Sequence, residues 1–283
     1  MAAAIPDPAV LPPVGSMRWY AWLFAPATAR NAMAALLALE TELRSIADAR
    51  VDHAVAHLKL QWWRDEVQRL ERGEPRHPLT RALLHQAPLA GPAWRPLQDL
   101  LSSVELDLAS TTYETESELD AYLRLADGLQ RAMTTAVHGG PGGQALERFA
   151  RAAGQLVRGV EIIRDLRQDA LQGRIYLPLS WLAAEDIAHD ELSRPALGAA
   201  PRRCLARLAI KSRERWREAL GLLGDADSEA LRGQRVLGEL HVALLGGIEG
   251  SQFDVGHDRV ELGPVRRLWT AWRAARRHPR DTA

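Results

Sequence analysis

Glu161, Asp165 and Asp169 fall four residues apart, and the chain then runs Gly173-Arg174-Ile175-Tyr176-Leu177-Pro178. Residues four apart on an α-helix share a face, so the three acids form a ladder of like charge that repels itself. A bound cation or nearby arginines would relieve that repulsion, and a ladder of this kind suits Mg²⁺ holding a diphosphate. The plainer reading is a solvated charged face in which Arg164 and Arg167, beside the acids, pair with them. Taken alone the DxxxD spacing is a weak signal, and the plainer reading is ahead.

Any such site has to be carried by the rest of the chain. The 283 residues are 47% hydrophobic, enough for a sizeable core without staples. Thirty-six basic side chains balance thirty-six acidic ones, so no overall field recruits nucleic acid or an anionic membrane. Lys59 and Lys211 are the only lysines, and the planar fork of arginine suits a diphosphate. The single Cys204 excludes an internal disulfide and fits a reducing cytoplasm. No apolar run reaches membrane-spanning length and no signal-peptide layout opens the sequence, so a soluble cytoplasmic or membrane-peripheral protein is expected.

Apolar residues recur at helical spacing almost throughout. Residues 1–15, rich in Ala and Pro, read as a disordered or extended arm. The spacing predicts helices over about 27–47 (with Thr28 as N-cap), 54–72, 97–110, 116–138, 144–171, 202–223, 228–250 and 264–277, with a short helix inside the proline-rich stretch between the second and third. No period-two alternation is sustained, so strands are not expected. The glycines at 139–143 lack the Lys-Ser/Thr of a phosphate loop and read as a turn. The expectation is one all-α domain over 16–277 with a short tail at 278–283.

Several stretches together resemble the squalene/phytoene synthase family. They are Arg30-Asn-Ala-Met-Ala-Ala-Leu-Leu-Ala-Leu39, Ala56-His-Leu-Lys-Leu-Gln-Trp62-Trp63-Arg-Asp-Glu66, His77-Pro78-Leu-Thr-Arg-Ala-Leu83, the 164–178 segment, Phe253-Asp254-Val255, Arg259-Val260 and Leu268-Trp269-Thr-Ala-Trp272. The resemblance implies an isoprenoid-synthase-type helical bundle around a central cavity. It implies Mg²⁺-dependent head-to-head joining of farnesyl or geranylgeranyl diphosphate with release of diphosphate. Asp165 and Asp169, with Glu161 and Asp48, would hold the metal. Arg174 and Tyr176 would act at the leaving group, although a structural clasp at the helix end is nearly as good a reading of Arg174. Arg44 and Arg164 would contact the diphosphate, and Tyr113 and Tyr122 would lie at or behind the cavity, where core packing is the safer reading. Whether a reduction with NADPH follows, which prenyl length is used and what the oligomeric state is stay open.

The departures from the family pattern are as informative. Its first aspartate-rich motif falls on Arg44-Ser45-Ile46-Ala47-Asp48, of which only the last acid survives. Asp48 and Asp52 are four apart, so the acidic pair could have slid by one turn, but Asp52 reads better as an N-cap for the helix that carries Trp62. Arg158 and Glu161 replace a Gln-x-x-Asn pair, and Leu129 and Gln130 are bulky where the family keeps small residues.

His53 and His57 have zinc-like spacing but no third ligand, and read as helix surface. Trp62 and Trp63 are adjacent, so one should pack in the core and the other in a neighbouring groove. Trp269 and Trp272 among five arginines make a basic aromatic helix, suited either to peripheral membrane contact or to plain docking by its tryptophans. Two functions therefore stand: a prenyltransferase, or a catalytically silent relative acting by binding, as in the family members that assist assembly of respiratory complex I and whose first motif is also eroded.

Overall fold

The computed structural model describes residues 11–47 and 52–277. Thirteen α-helices are formed by the described residues: α1 Met17–Phe24, α2 Ala27–Ser45, α3 His53–Glu71, α4 Pro78–Gln86, α5 Arg95–Leu108, α6 Glu116–Ala126, α7 Gly128–His138, α8 Gln144–Leu171, α9 Leu179–Ala184, α10 Ala199–Leu220, α11 Asp225–Ala230, α12 Arg232–Gly250 and α13 Pro264–Arg276. No strand occurs among the described residues, as the periodicity predicts.

Local chemistry sets the boundaries. Asp52 caps α3 by accepting from the amides of Ala54 and Val55, which is the N-cap role rather than a metal role. The cap of α2 is Pro26, not Thr28, because proline fixes the extended entry angle and the helix starts directly after it. The helix expected over 116–138 is broken at Asp127-Gly128, giving α6 and α7. Gly128 is required there: a Cβ on it would sit 2.1 Å from the carbonyl oxygen of Pro96. The 28-residue α8 ends as expected, with Gly173 at φ 76° turning the chain out of the helix.

Two apolar clusters make the core. One gathers α8, α10 and α12 around Phe149, Leu156, Val160 and Leu205. The other gathers α2, α3 and α5 around Leu36, Leu43, Trp63, Trp94 and Leu100. Trp63 is buried and Trp62 is exposed, as adjacent positions on a helix require. Between the clusters, where α1, α2, α5 and α8 approach one another, the buried groups are charged.

Candidate functional site

Six side chains close a ring of alternating charge at that boundary. Arg18 on α1 donates to Glu40 and to Glu161, 3.1 Å each. Glu40 on α2 accepts from Arg44, one turn on, at 3.0 Å. Arg44 reaches Asp107 on α5 at 3.6 Å, and Asp107 accepts from Arg158 on α8 at 3.3 Å. Arg158 returns to Glu161 at 3.8 Å. The hydroxyls of Tyr122 and Tyr176 each donate to Oδ1 of Asp107 at 2.7 Å, and Arg158 also donates to the hydroxyl of Tyr122 at 2.6 Å.

The burial of these charges fixes their protonation. Burial opposes ionisation of Glu161, yet Arg18, Arg44, Arg158 and Arg164 together hold its carboxyl far below the ordinary range. Burial likewise works against Glu40, and Arg18 and Arg44 bring it below its usual value. Burial drives the phenols of Tyr113, Tyr122 and Tyr176 upward, so all three stay neutral, Tyr122 and Tyr176 as donors and Tyr113 with no partner for its hydroxyl among the described residues. The tyrosine rings cluster with centroids 5.4 to 6.3 Å apart, and the guanidinium of Arg158 lies over Tyr122 and Tyr176 at 5.5 and 4.8 Å. The faces of Tyr122 and Tyr176 thus already meet a built-in cation.

The second acidic motif continues outward from this ring. Asp165 is gripped by the fork of Arg259 at 2.8 and 3.1 Å and by Arg164 at 2.9 Å. Asp169 accepts from Arg174 at 3.2 Å, and burial pushes its carboxyl up to about 6 although Arg158 and Arg174 pull the other way. Arg174 also donates to the carbonyl of Ala47 at 3.0 Å, so it fastens the exit of α8 to the end of α2. That is the clasp reading of Arg174. Asp48 lies outside the described residues.

As placed, the described donors do not fit a magnesium ion. Glu161, Asp165 and Asp169 each spend oxygens on a different set of arginines, and no group of three or more His, Cys, Asp or Glu among the described residues could hold a metal ion. Arg18, Arg44, Arg158, Arg164, Arg174 and Arg259 face Glu40, Asp107, Glu161, Asp165 and Asp169, six cations against five anions. Arginine thus meets the repulsion of the ladder, but not on the solvated face with Arg164 and Arg167 that the plainer reading describes: Glu161 is buried, and of the two arginines only Arg164 pairs with the ladder, the others being Arg18, Arg158, Arg174 and Arg259. Arg167 instead donates to the carbonyl of Ser193. His53 and His57 are exposed, with ring centres 6.3 Å apart.

Beside the ring lies a groove of about 570 Å³, walled by Pro12, Leu37, Ala38 and Leu79, with Arg18, Glu42, Ser45 and His77 also lining it. Sequence reasoning missed Asp107, Glu40 and Arg18 as members of the centre. For Asp107 the signal was present: it continues the buried stripe of Leu97, Leu100, Leu101 and Val104, and an acid on such a stripe needs partners.

The squalene/phytoene synthase profile matches residues 11–270. A bifunctional lycopene cyclase/phytoene synthase of Phaeosphaeria nodorum is 28% identical over 205 residues, 68% of this chain and 35% of that protein. The phytoene synthase of Thermus thermophilus is 28% identical over 163 residues, 58% of this chain and 55% of that one. The chain therefore spans about a third to about half the length of these relatives. A presqualene diphosphate synthase of Rhodopseudomonas palustris is 25% identical over 270 residues, 94% and 95% of the two chains. Among solved structures, a dehydrosqualene synthase in complex with ligand superposes with a TM-score of 0.76 at 16% identity, covering 91% and 90%. Squalene synthase HpnC from Alicyclobacillus acidocaldarius gives 0.68 at 21%, covering 83% and 88%. Identities this low carry the shared all-α fold.

Proposed function

The chain belongs to the squalene/phytoene synthase family, and from that premise we propose that it is a head-to-head prenyltransferase that takes farnesyl or geranylgeranyl diphosphate with its arginines. The observation that carries the reading is the groove of about 570 Å³, largely apolar, that opens onto Arg18 of the charged ring. A prenyl chain suits the Leu37, Ala38 and Leu79 wall, and a diphosphate suits Arg18, whose fork can bind phosphate oxygens bidentately.

The residues divide the work in this reading. Arg18 exchanges part of its bonding to Glu40 and Glu161 for the diphosphate, and Arg44 beside it adds a second positive charge. Charge that builds on the leaving oxygen as the C–O bond ionises is offset by these fixed guanidinium groups. Tyr176, a neutral donor turned toward Asp107, holds the ring in register. Magnesium enters no step derived from the described residues. Joined prenyl chains leave water for lipid, so peripheral membrane contact through α13 belongs to the same reading; no helix among the described residues is long and apolar enough to cross a membrane.

A second reading is favoured by one observation: Arg158 occupies the faces of Tyr122 and Tyr176 that a carbocation would need. In it the chain keeps the fold and acts by binding, as an assembly factor. Release of pyrophosphate from farnesyl and geranylgeranyl diphosphate, followed with product extraction, separates the two. Turnover with a joined hydrocarbon product supports the transferase, and no turnover with either donor leaves the binding protein.

A further inference from the structure

α13 and the cavity beneath it hold a second concentration of positive charge, far along the chain from the ring. Between Pro264 and Arg277 lie Arg266, Arg267, Arg273, Arg276 and Arg277, with no acid among them. Val265, Leu268, Trp269 and Trp272, spaced i, i+3, i+4 and i+7, share one face, and Val265 is 80% and Trp269 54% exposed. The two indoles stack with centroids 5.0 Å apart, and Arg276 lies 4.5 Å over Trp272.

Under this helix is a cavity of about 240 Å³, lined by Arg235, Arg273, Arg277, Val242, Leu220 and Trp269 and by one acid, Glu239, whose carboxylate accepts from the indole N–H of Trp216 at 2.9 Å, so three cations there face one anion. Arg235 on α12 is only 6% exposed, and its guanidinium donates to the carbonyls of Ser228 at 3.2 Å, Ala274 at 3.0 Å and Arg277. Among the described residues no carboxylate pairs with it. Burial pulls its proton affinity below that of an ordinary arginine, with Glu239 and Glu229 working against the drop. A buried cation on carbonyls, with two more at the lip and an apolar wall opposite, fits an anion attached to a hydrocarbon chain.

We infer that α13 docks the protein on an anionic phospholipid surface, with Val265, Leu268 and Trp269 entering the headgroup layer and a lipid phosphate seated in the cavity between Arg235, Arg273 and Arg277. Charge complementarity selects this occupant: the helix carries five arginines and no acid, and a tryptophan beside exposed aliphatic side chains is what the boundary between headgroups and acyl chains accepts. The inference rests on the membrane-peripheral part of the proposed function and is independent of the transfer chemistry.

Co-sedimentation of the full chain with phosphatidylglycerol/phosphatidylcholine vesicles, against phosphatidylcholine alone, tests it. The expected result is binding to the anionic vesicles that weakens with added salt, falls roughly tenfold or more in Arg273→Glu, and falls again in Trp269→Ser or Leu268→Ser at unchanged helical circular dichroism. Soluble glycerol phosphate should compete only weakly, because it lacks the chain. Four results would overturn the docking: equal binding to neutral and anionic vesicles; indifference to Arg273→Glu; glycerol phosphate bound while vesicles are not, marking a free-anion site; or a dimer that Trp269→Ser splits with no vesicle binding. Pyrophosphate release measured in detergent is unaffected by these variants if the enzyme reading holds, so the two ideas fail separately.

Discussion

The guanidinium of Arg158 lies 4.8 Å over the ring of Tyr176 while reaching toward Asp107 and Glu161. One side chain therefore joins the aromatic cluster to two of the three acids of the ring. Replacing it by Arg158→Gln leaves three carboxylates against two arginines in a buried setting. Breaking a buried pair by removing one partner costs about 3 kcal/mol or more. The melting temperature of Arg158→Gln should fall by several degrees, and an unchanged melt would mean the ring contributes nothing to the fold.

Arg44 bridges Glu40 and Asp107, and its reversal makes a sharper case. Arg44→Asp puts a third negative charge beside Glu40 and Asp107. The variant should be strongly destabilised in EDTA and should regain part of the loss with Mg²⁺, since an ion that binds only the folded state stabilises it by mass action. The wild-type chain should show no such Mg²⁺ shift. Equal responses of the two proteins would remove Arg44 from the electrostatics of the centre.

Asp127 supplies a pH dependence whose sign can be worked out. It is fully buried at the α6–α7 break, its Oδ1 lacks a hydrogen-bond partner, and burial raises its carboxyl to about 7 despite Arg131 and Arg151. In the folded state the proton is held up to about pH 7, whereas the unfolded chain releases it near the ordinary aspartate value of about 4. Between those values the folded form binds more protons, so this group's contribution to stability falls as pH rises. Asp169, raised to about 6, acts in the same direction over a narrower window. Asp127→Asn should flatten the decline and be more stable than wild type at pH 8, by on the order of 2 kcal/mol. Parallel melting profiles from pH 5 to pH 8 for the two proteins would contradict this.

Arg259 gives the opposite case of an ion pair with little at stake. Its fork on Asp165 has good geometry, but its side chain is about half exposed. Exposed pairs contribute roughly 0–1 kcal/mol. Arg259→Ala should melt within a degree or two of wild type, and its pairing should weaken visibly with salt. A loss comparable to that of Arg158→Gln would show that Asp165 belongs to the buried network.

The acidic ladder was legible because its spacing is local: α8 occupies Gln144–Leu171, the span the periodicity predicts, and Gly173 closes it. What the ladder binds was not legible, because Arg259 comes from 94 residues downstream and Arg18 from 143 residues upstream of its partner Glu161. Asp107 escaped for a related reason. An acid on an apolar stripe announces that it needs partners, but Tyr122, Tyr176, Arg44 and Arg158 come to it from four other segments. The break at Asp127-Gly128 was hidden by continuous helical periodicity, and only the close approach of the Pro96 carbonyl makes the glycine necessary. α1 was missed since eight residues give periodicity little to work on, and its capping Ser16 is one of many serines in the chain.

The central claim is that arginines of the ring take a prenyl diphosphate directly. Calorimetric binding of a non-reacting farnesyl thiodiphosphate, in EDTA and then in excess Mg²⁺, tests it most directly. The account predicts the same dissociation constant in both solutions and loss of binding in Arg18→Gln. Binding that appears only with Mg²⁺, or that survives Arg18→Gln intact, would contradict it.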